Sequence, residues 1–203
     1  MLFRSARPPR ERLAEVERLA CEAASALVVG DPRSPRTTHG PVANRAQFDR
    51  VQEMIGAGIA EGARLVAGGL GRPQGLERGY YVRPTLFSDV QPQMRIAQEE
   101  IFGPVLVIIA YDDVDEAVAI ANGTDYGLGA HVQGQDLAAA CAVALRIRSG
   151  QVHINNPPWS PHAPFGGYKR SGNGREYGVQ GLEEYLETKA ILGYLDAAAP
   201  PAA

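Results

Sequence analysis

Sulfur, histidine clusters and long apolar runs are all scarce in this chain. Two cysteines, Cys21 and Cys141, stand in 203 residues, which excludes a disulfide framework. Each sits in a helical, alanine-rich pattern, where a thiol behaves as a small hydrophobe. The four histidines, His39, His131, His153 and His162, have no H-x-x-x-H spacing and no C-x-x-C joins them, so no metal site is expected. His131 and His153 lie in strand-like segments and read as half-buried side chains. The run Val105 to Ala110 is far below the ~18 residues of a membrane span. Met1-Leu2-Phe3-Arg4 lacks the apolar stretch of a signal peptide. A cytoplasmic protein without membrane partners is expected.

Charge of one sign is also missing. The net charge is -3, and the arginines of residues 4–18 interleave with Glu11, Glu15 and Glu17. The patch nearly cancels, which argues against nucleic acid as a partner. No phosphate cradle is complete either. Gly127-Leu-Gly129 leads to Val132, and Gly172-Asn-Gly174 leads to Tyr177, where a dinucleotide fingerprint needs a third small residue.

What is present suits a folded chain. Hydrophobic residues make up 45% and charged residues 21%, which argues against disorder. The length corresponds to about 1.4 domains on a ~150-residue prior. Residues 10–27 and 46–62 repeat apolar side chains at helical spacing. Val82 to Val90 reads as extended. Val105 to Ala110 suits a strand buried on both faces. Further on, Asp113 to Ala121 reads as a helix, Leu128 to Val132 as a strand and Asp136 to Ile147 as a helix with Asp136 at its N-cap. Gln151 to Ile154 is a strand. This alternation predicts an α/β fold with a parallel sheet. Residues 155–178 are rich in proline and glycine and lack periodicity, residues 179–186 read as a helix, and Thr188 to Leu195 suits an edge strand.

Few side chains offer chemistry. The acidic pair Glu99-Glu100 precedes Ile101-Phe102-Gly103-Pro104 at the mouth of the strand starting at Val105. One reading is a solvated helix end turning into the strand. The other is an aromatic and a carboxylate delivered together, able to accept hydrogen bonds from a diol such as ribose. Trp159 and Phe165 leave the carboxyl end of the strand at Gln151, where ligands lie in open α/β sheets. They either line an apolar substrate mouth or plug a long loop. Solvation is the expected fate of Lys169, Arg170 and Arg175.

Taken together, Gln98-Glu-Glu-Ile-Phe-Gly-Pro-Val105 and Pro164-Phe-Gly-Gly-Tyr-Lys-Arg-Ser-Gly-Asn-Gly-Arg-Glu176 closely resemble the aldehyde dehydrogenase superfamily. Supporting stretches are His39-Gly-Pro-Val42, Glu61-Gly-Ala-Arg-Leu-Val-Ala-Gly-Gly69 and Gly79-Tyr-Tyr-Val-Arg-Pro-Thr85. The resemblance implies oxidation of an aldehyde to a carboxylic acid through a cysteine thiohemiacetal, with NAD or NADP as cofactor. It implies that Glu100 holds the nicotinamide ribose, that Phe102 packs by the nicotinamide, that Phe165 lies at the substrate tunnel and that Trp159 lies in the variable pocket loop. It also implies subunit pairing through the last strand, hence a homo-oligomer.

Only the C-terminal part of a family member is matched. The Rossmann-type cofactor domain, the oxyanion asparagine and the general-base glutamate have no counterpart in these residues. The nucleophilic cysteine is expected at or upstream of Met1, and neither Cys21 nor Cys141 matches it, so no catalytic residue is assigned. The expected organisation is a partial catalytic domain over residues 1–187, an oligomerisation strand over 188–196 and a flexible tail over 197–203. The chain alone is predicted to be inactive. The alternative is a non-catalytic regulatory subunit that docks on a full-length relative. An independent hydrolase finds no serine, histidine and acid arrangement to support it.

Overall fold

The computed structural model describes residues 5–193. Two compact units divide the chain between Asp125 and Tyr126.

The first unit opens with strand β1 (Ser5–Ala6). Helix is expected from residue 10, but Arg10–Arg12 forms a 3-10 turn and α1 runs from Leu13 to Ser25. The backbone of Arg12, at φ −103° and ψ 5°, separates the two. Helix α2 (Arg45–Ala60) starts where Asn44 accepts a hydrogen bond from the backbone of Gln47 at 2.9 Å. It buries Phe48, Val51, Met54 and Ile55, one face of a 3.6-residue repeat. Strands β2 (Arg64–Ala67) and β3 (Thr85–Ser88), helix α3 (Arg95–Gln98), strand β4 (Val105–Ile108) and helix α4 (Val114–Asn122) follow. The extended segment expected over 82–90 narrows to β3, which Asp89 ends by turning to φ 54°.

The sheet order is β1-β4-β3-β2. Strands β1 and β3 run parallel to β4, and β2 runs antiparallel to β3. Val105, Val107 and Ile108 of β4 are buried, as its apolar run predicts, and Leu106 is half-buried. One core joins α2, β3, α3 and β4 through Met54, Ile55, Phe87, Ile96 and Val107. Full burial of each such side chain contributes about 1.5–3 kcal/mol before chain entropy is counted.

The second unit contains strands β5 (Tyr126–Gly127) and β6 (Gly129–Val132), helix α5 (Leu137–Arg146), strands β7 (Gln151–Ile154) and β8 (Tyr168–Lys169), and helix α6 (Gly178–Glu183). Asp136 caps α5 by accepting from Ala139 at 3.1 Å, as its sequence position predicts. Strands β6 and β7 form a parallel β-α-β unit, with His131 opposite His153 and their half-buried rings stacked at 4.8 Å. Strands β5 and β8 pair antiparallel.

The α/β class with parallel pairing therefore holds, but the alternating strands do not form one ladder: β4 pairs with β1 and β3, and β6 pairs with β7. Residues 155–178 contain β8 and a bridge between Phe165 and Glu176. No strand forms over Thr188 to Gly193, whose side chains are exposed. A strand needs a paired edge, and no described residue supplies one; residues 194–203, with the rest of the expected strand and the tail, lie outside the described residues. Among the described residues, no helix is long and apolar enough to cross a membrane.

Candidate functional site

The corner between α3 and β4 is built by ion pairs on one side and packing on the other. Glu61 accepts from the backbone N–H of Arg95 at 2.9 Å, at the start of α3. Arg95 then reaches forward one turn to Glu99 at 2.8 Å and across to Glu53 at 3.0 Å. Arg50, on α2, donates to the same Glu99 carboxylate. These two guanidinium groups hold the Glu99 carboxyl down at about 2. Glu100 differs. It is half-buried and has no hydrogen bond or ion pair among the described residues.

Beyond the acidic pair the chain alternates. Ile101 is buried, Phe102 is 67% exposed, and Gly103 is buried. Phe102 sits at φ 54°, a left-handed conformation that L side chains avoid. Its carbonyl accepts from the side-chain amide of Gln47 on α2. A Cβ on Gly103 would lie 2.5 Å from a methyl of Val51, so α2 approaches the backbone there more closely than a side chain permits. The ring of Phe102 lines a cavity of about 170 Å³ with Val29, Val42, Val82, Pro84 and Gln47. The cavity is mostly apolar and its lining includes His39, whose Nδ1 lies 3.1 Å from the hydroxyl of Thr38.

In the second unit Phe165 is fixed by its backbone. Its N–H donates to Glu176 and its carbonyl accepts from Glu176, both at 2.7 Å. The segment after it can only be glycine. A Cβ on Gly150 would lie 1.6 Å from the carbonyl oxygen of Gly166, and one on Gly166 would lie 2.2 Å from that of Gly174. Arg175 binds this loop, donating to the carbonyls of Gly167 at 3.1 Å and Gly174 at 2.8 Å, with its guanidinium over the ring of Tyr168. It is a structural clamp, not the solvated charge that the sequence suggests. Phe165, Leu128 and Tyr185 line a cavity of about 400 Å³.

Trp159 is 69% exposed and meets Tyr177 edge to face, with ring centroids 5.7 Å apart. Its loop starts from Asn155 and Asn156, both left-handed at φ 51° and 52°, a conformation that asparagine tolerates. The Asn155 side chain accepts from the Gly134 N–H at 2.9 Å and donates to the Gly134 carbonyl at 2.8 Å, tying the loop after β7 to the loop after β6.

Gln47, Arg50, Arg95 and Asn155 build the site without standing out as site residues in the sequence. Two of them carry a local signal: Gln47 stands at the N3 position after the N-cap Asn44, and Arg95 stands four residues before Glu99. Cys21 and Cys141 are both free and half-buried, on α1 and α5.

Comparison with known proteins gives these features a family context. The profile described as the aldehyde dehydrogenase family matches residues 9–191. A 3-succinoylsemialdehyde-pyridine dehydrogenase from a Pseudomonas species is 53% identical over 186 residues, which is 92% of this chain and 39% of that protein. Aldehyde dehydrogenase C from Pseudomonas syringae, crystallised as a cysteine-to-alanine variant with NAD+ and octanal, is similar at a TM-score of 0.92 and 68% identity, over 96% of this chain and 40% of that one. An aldehyde dehydrogenase from Mycobacterium tuberculosis, complexed with NAD+, gives 0.88 and 44%, over 95% of this chain and 40% of that one. The chain thus spans about 40% of the length of these relatives. With nearly its whole described length inside the matched region, and identities well above the level at which fold alone is shared, the chain belongs to the aldehyde dehydrogenase family.

Proposed function

We propose that this chain is the C-terminal part of an enzyme that oxidises an aldehyde to a carboxylic acid with NAD or NADP, and that it supplies the nicotinamide end of the cofactor site and part of the aldehyde pocket. One observation carries this reading: the half-buried Glu100 carboxylate, free of protein partners among the described residues, stands two residues from the exposed ring of Phe102 at an apolar cavity. A carboxylate with open acceptor positions fits a ribose diol, and hydrogen bonds to a charged group contribute about 1.5–3 kcal/mol. An exposed aromatic face fits a flat apolar ring. The residues present fit the nicotinamide nucleoside, and the glycine motifs at 127–129 and 172–174 do not fit the phosphates.

When bound, the cofactor supplies the two-electron acceptor for the oxidation. The chain's own residues orient it. Glu100 accepts from the ribose, Phe102 packs on the ring, and the buried neighbours Ile101 and Gly103 hold both in place. Phe165 and Trp159 line the aldehyde mouth. The octanal held by the Pseudomonas syringae relative and the semialdehyde dehydrogenase among the similar proteins support an aldehyde substrate. The setting is cytoplasmic.

No residue of this chain matches the family's nucleophile, so the 203 residues do not oxidise aldehydes by themselves. NADH formation by the purified chain, with a panel of aldehydes that includes octanal, tests this. No turnover is expected. Turnover that Cys21→Ala or Cys141→Ala abolishes would contradict it.

A second reading, assembly with another copy or with a full-length relative, is favoured by the apolar side chains after α6. Tyr185, Leu186, Ile191 and Leu192 are all exposed, as is Leu182 within α6. Mixing the chain with a full-length relative and following mass by light scattering tests it. A stable monomer that ignores the relative rules it out.

A further inference from the structure

Helix α2 holds the corner that carries Glu100 and Phe102 at successive points of one face. Gln47, Arg50 and Val51 stand at i, i+3 and i+4, which lie side by side on a helix. Arg50 binds Glu99, Gln47 binds the Phe102 carbonyl, and Val51 packs on Gly103. Of the two side chains that make none of these contacts, Phe102 is exposed and Glu100 is half-buried.

Of the three contacts, the one from Gln47 bears on the strained residue. The flanks of Phe102 are fixed without it. Val105 donates to the Gly103 carbonyl at 2.8 Å, Thr85 donates to the Pro104 carbonyl at 2.8 Å, and Ile101 is buried. The side-chain amide of Gln47 is used at both ends. Its Oε1 accepts from the Ala43 N–H at 2.9 Å, and its Nε2 donates to the Phe102 carbonyl. A carboxylate could do the first and not the second, because it has no donor.

We propose that Gln47 is a positioning residue for the cofactor site: its donated hydrogen bond holds Phe102 in the left-handed conformation that presents the ring beside Glu100. The proposal rests on the cofactor reading above. Without that bond, φ of Phe102 relaxes toward negative values and the aromatic face turns away from the cavity, while the helix cap survives in any variant that keeps the acceptor.

The test uses the full chain labelled with 15N and 13C, and two variants. Gln47→Glu keeps the acceptor for Ala43 and loses the donor. Gln47→Met keeps the bulk and loses both. In the cofactor-free protein, both variants are expected to move the Phe102 carbonyl 13C resonance upfield and to change the φ-dependent coupling of its amide. Only Gln47→Met lowers the melting temperature. On titration with NAD+, the shifts of Phe102 and Gly103 in Gln47→Glu should saturate at concentrations about tenfold higher than in the wild type, a loss of about 1.4 kcal/mol. Wild-type coupling and carbonyl shift in Gln47→Glu would overturn the proposal. A wild-type chain that shows no NAD+-dependent shift counts against the cofactor reading instead, and the cofactor-free spectra still decide the positioning.

Discussion

Glu99 and Glu100 are neighbours in very different surroundings. Glu99 is bound by Arg50 and Arg95, and Glu100 by no described residue. Their substitutions should therefore separate. Glu100→Gln is expected to leave the melting temperature within the scatter of surface changes, about 0.5 kcal/mol, because no protein contact is lost. The same variant should weaken NAD(H) binding by about tenfold or more, the worth of a hydrogen bond to a charged group. Glu99 has the opposite signature. Its pKa is depressed in the fold from 4.5 to about 2 by the two guanidinium groups, so its contribution is complete above about pH 4.5 and is lost as pH falls toward 2. Denaturant melts between these limits should slope less in Glu99→Gln than in the wild type; parallel slopes would show that the arginines do not bind Glu99 in solution. Sequence motifs pointed to Glu100 and Phe102 because family patterns are local in the chain. Arg95 is a local i,i+4 partner of Glu99, but the Arg50 half of the lock and the left-handed Phe102 were not legible, since Arg50 lies 49 residues and Gln47 lies 55 residues from their partners. Only packing brings them together.

Helices α2 and α5 were legible at the level of single elements, because apolar spacing and a capping side chain fit within one window of sequence. The caps at Asn44 and Asp136 follow from that local chemistry, and replacing either with alanine should cost about 1 kcal/mol, read as a shift of the melting midpoint. The loops were not legible. Residues 155–178 have no periodicity, and their order comes from backbone pairing at Phe165 and Glu176, the Asn155 lock and the Arg175 clamp, each of which spans a loop. Close approach marks their weak points. Gly150→Ala places a methyl 1.6 Å from the Gly166 carbonyl, so that loop must open. We expect this variant to increase acrylamide quenching of Trp159, the single tryptophan, while far-ultraviolet circular dichroism changes little. Gly103→Ala forces Val51 aside and should cost about 1–3 kcal/mol, with the loss seen as a lower melting midpoint of the first unit.

The whole molecule is unevenly buried. The core cluster lies in the first unit, and Ala140 is the one buried hydrophobic side chain among the described residues of the second. Helix α5 is almost entirely apolar, yet Leu137 and Leu145 are exposed, the latter at 89%. A helix that is apolar all round ordinarily lies inside a protein, and exposed apolar patches of this kind are usually covered or aggregate. The isolated chain should therefore associate as its concentration rises, with light scattering reporting masses above the monomer, and Leu186→Glu together with Leu192→Glu should reduce this. Amides of the second unit should exchange faster than those of β3 and β4. The proposed role of this chain, supplying the cofactor carboxylate and pocket of an aldehyde-oxidising enzyme without its nucleophile, can be measured in a chimera. The portion of Pseudomonas syringae aldehyde dehydrogenase C that this chain does not match is joined to residues 9–191, and NADH formation from aldehydes is measured with and without Glu100→Gln. Turnover in the chimera is expected, with an apparent KM for NAD+ raised about tenfold or more by Glu100→Gln. A folded chimera without turnover, or one whose cofactor dependence ignores Glu100→Gln, would contradict it.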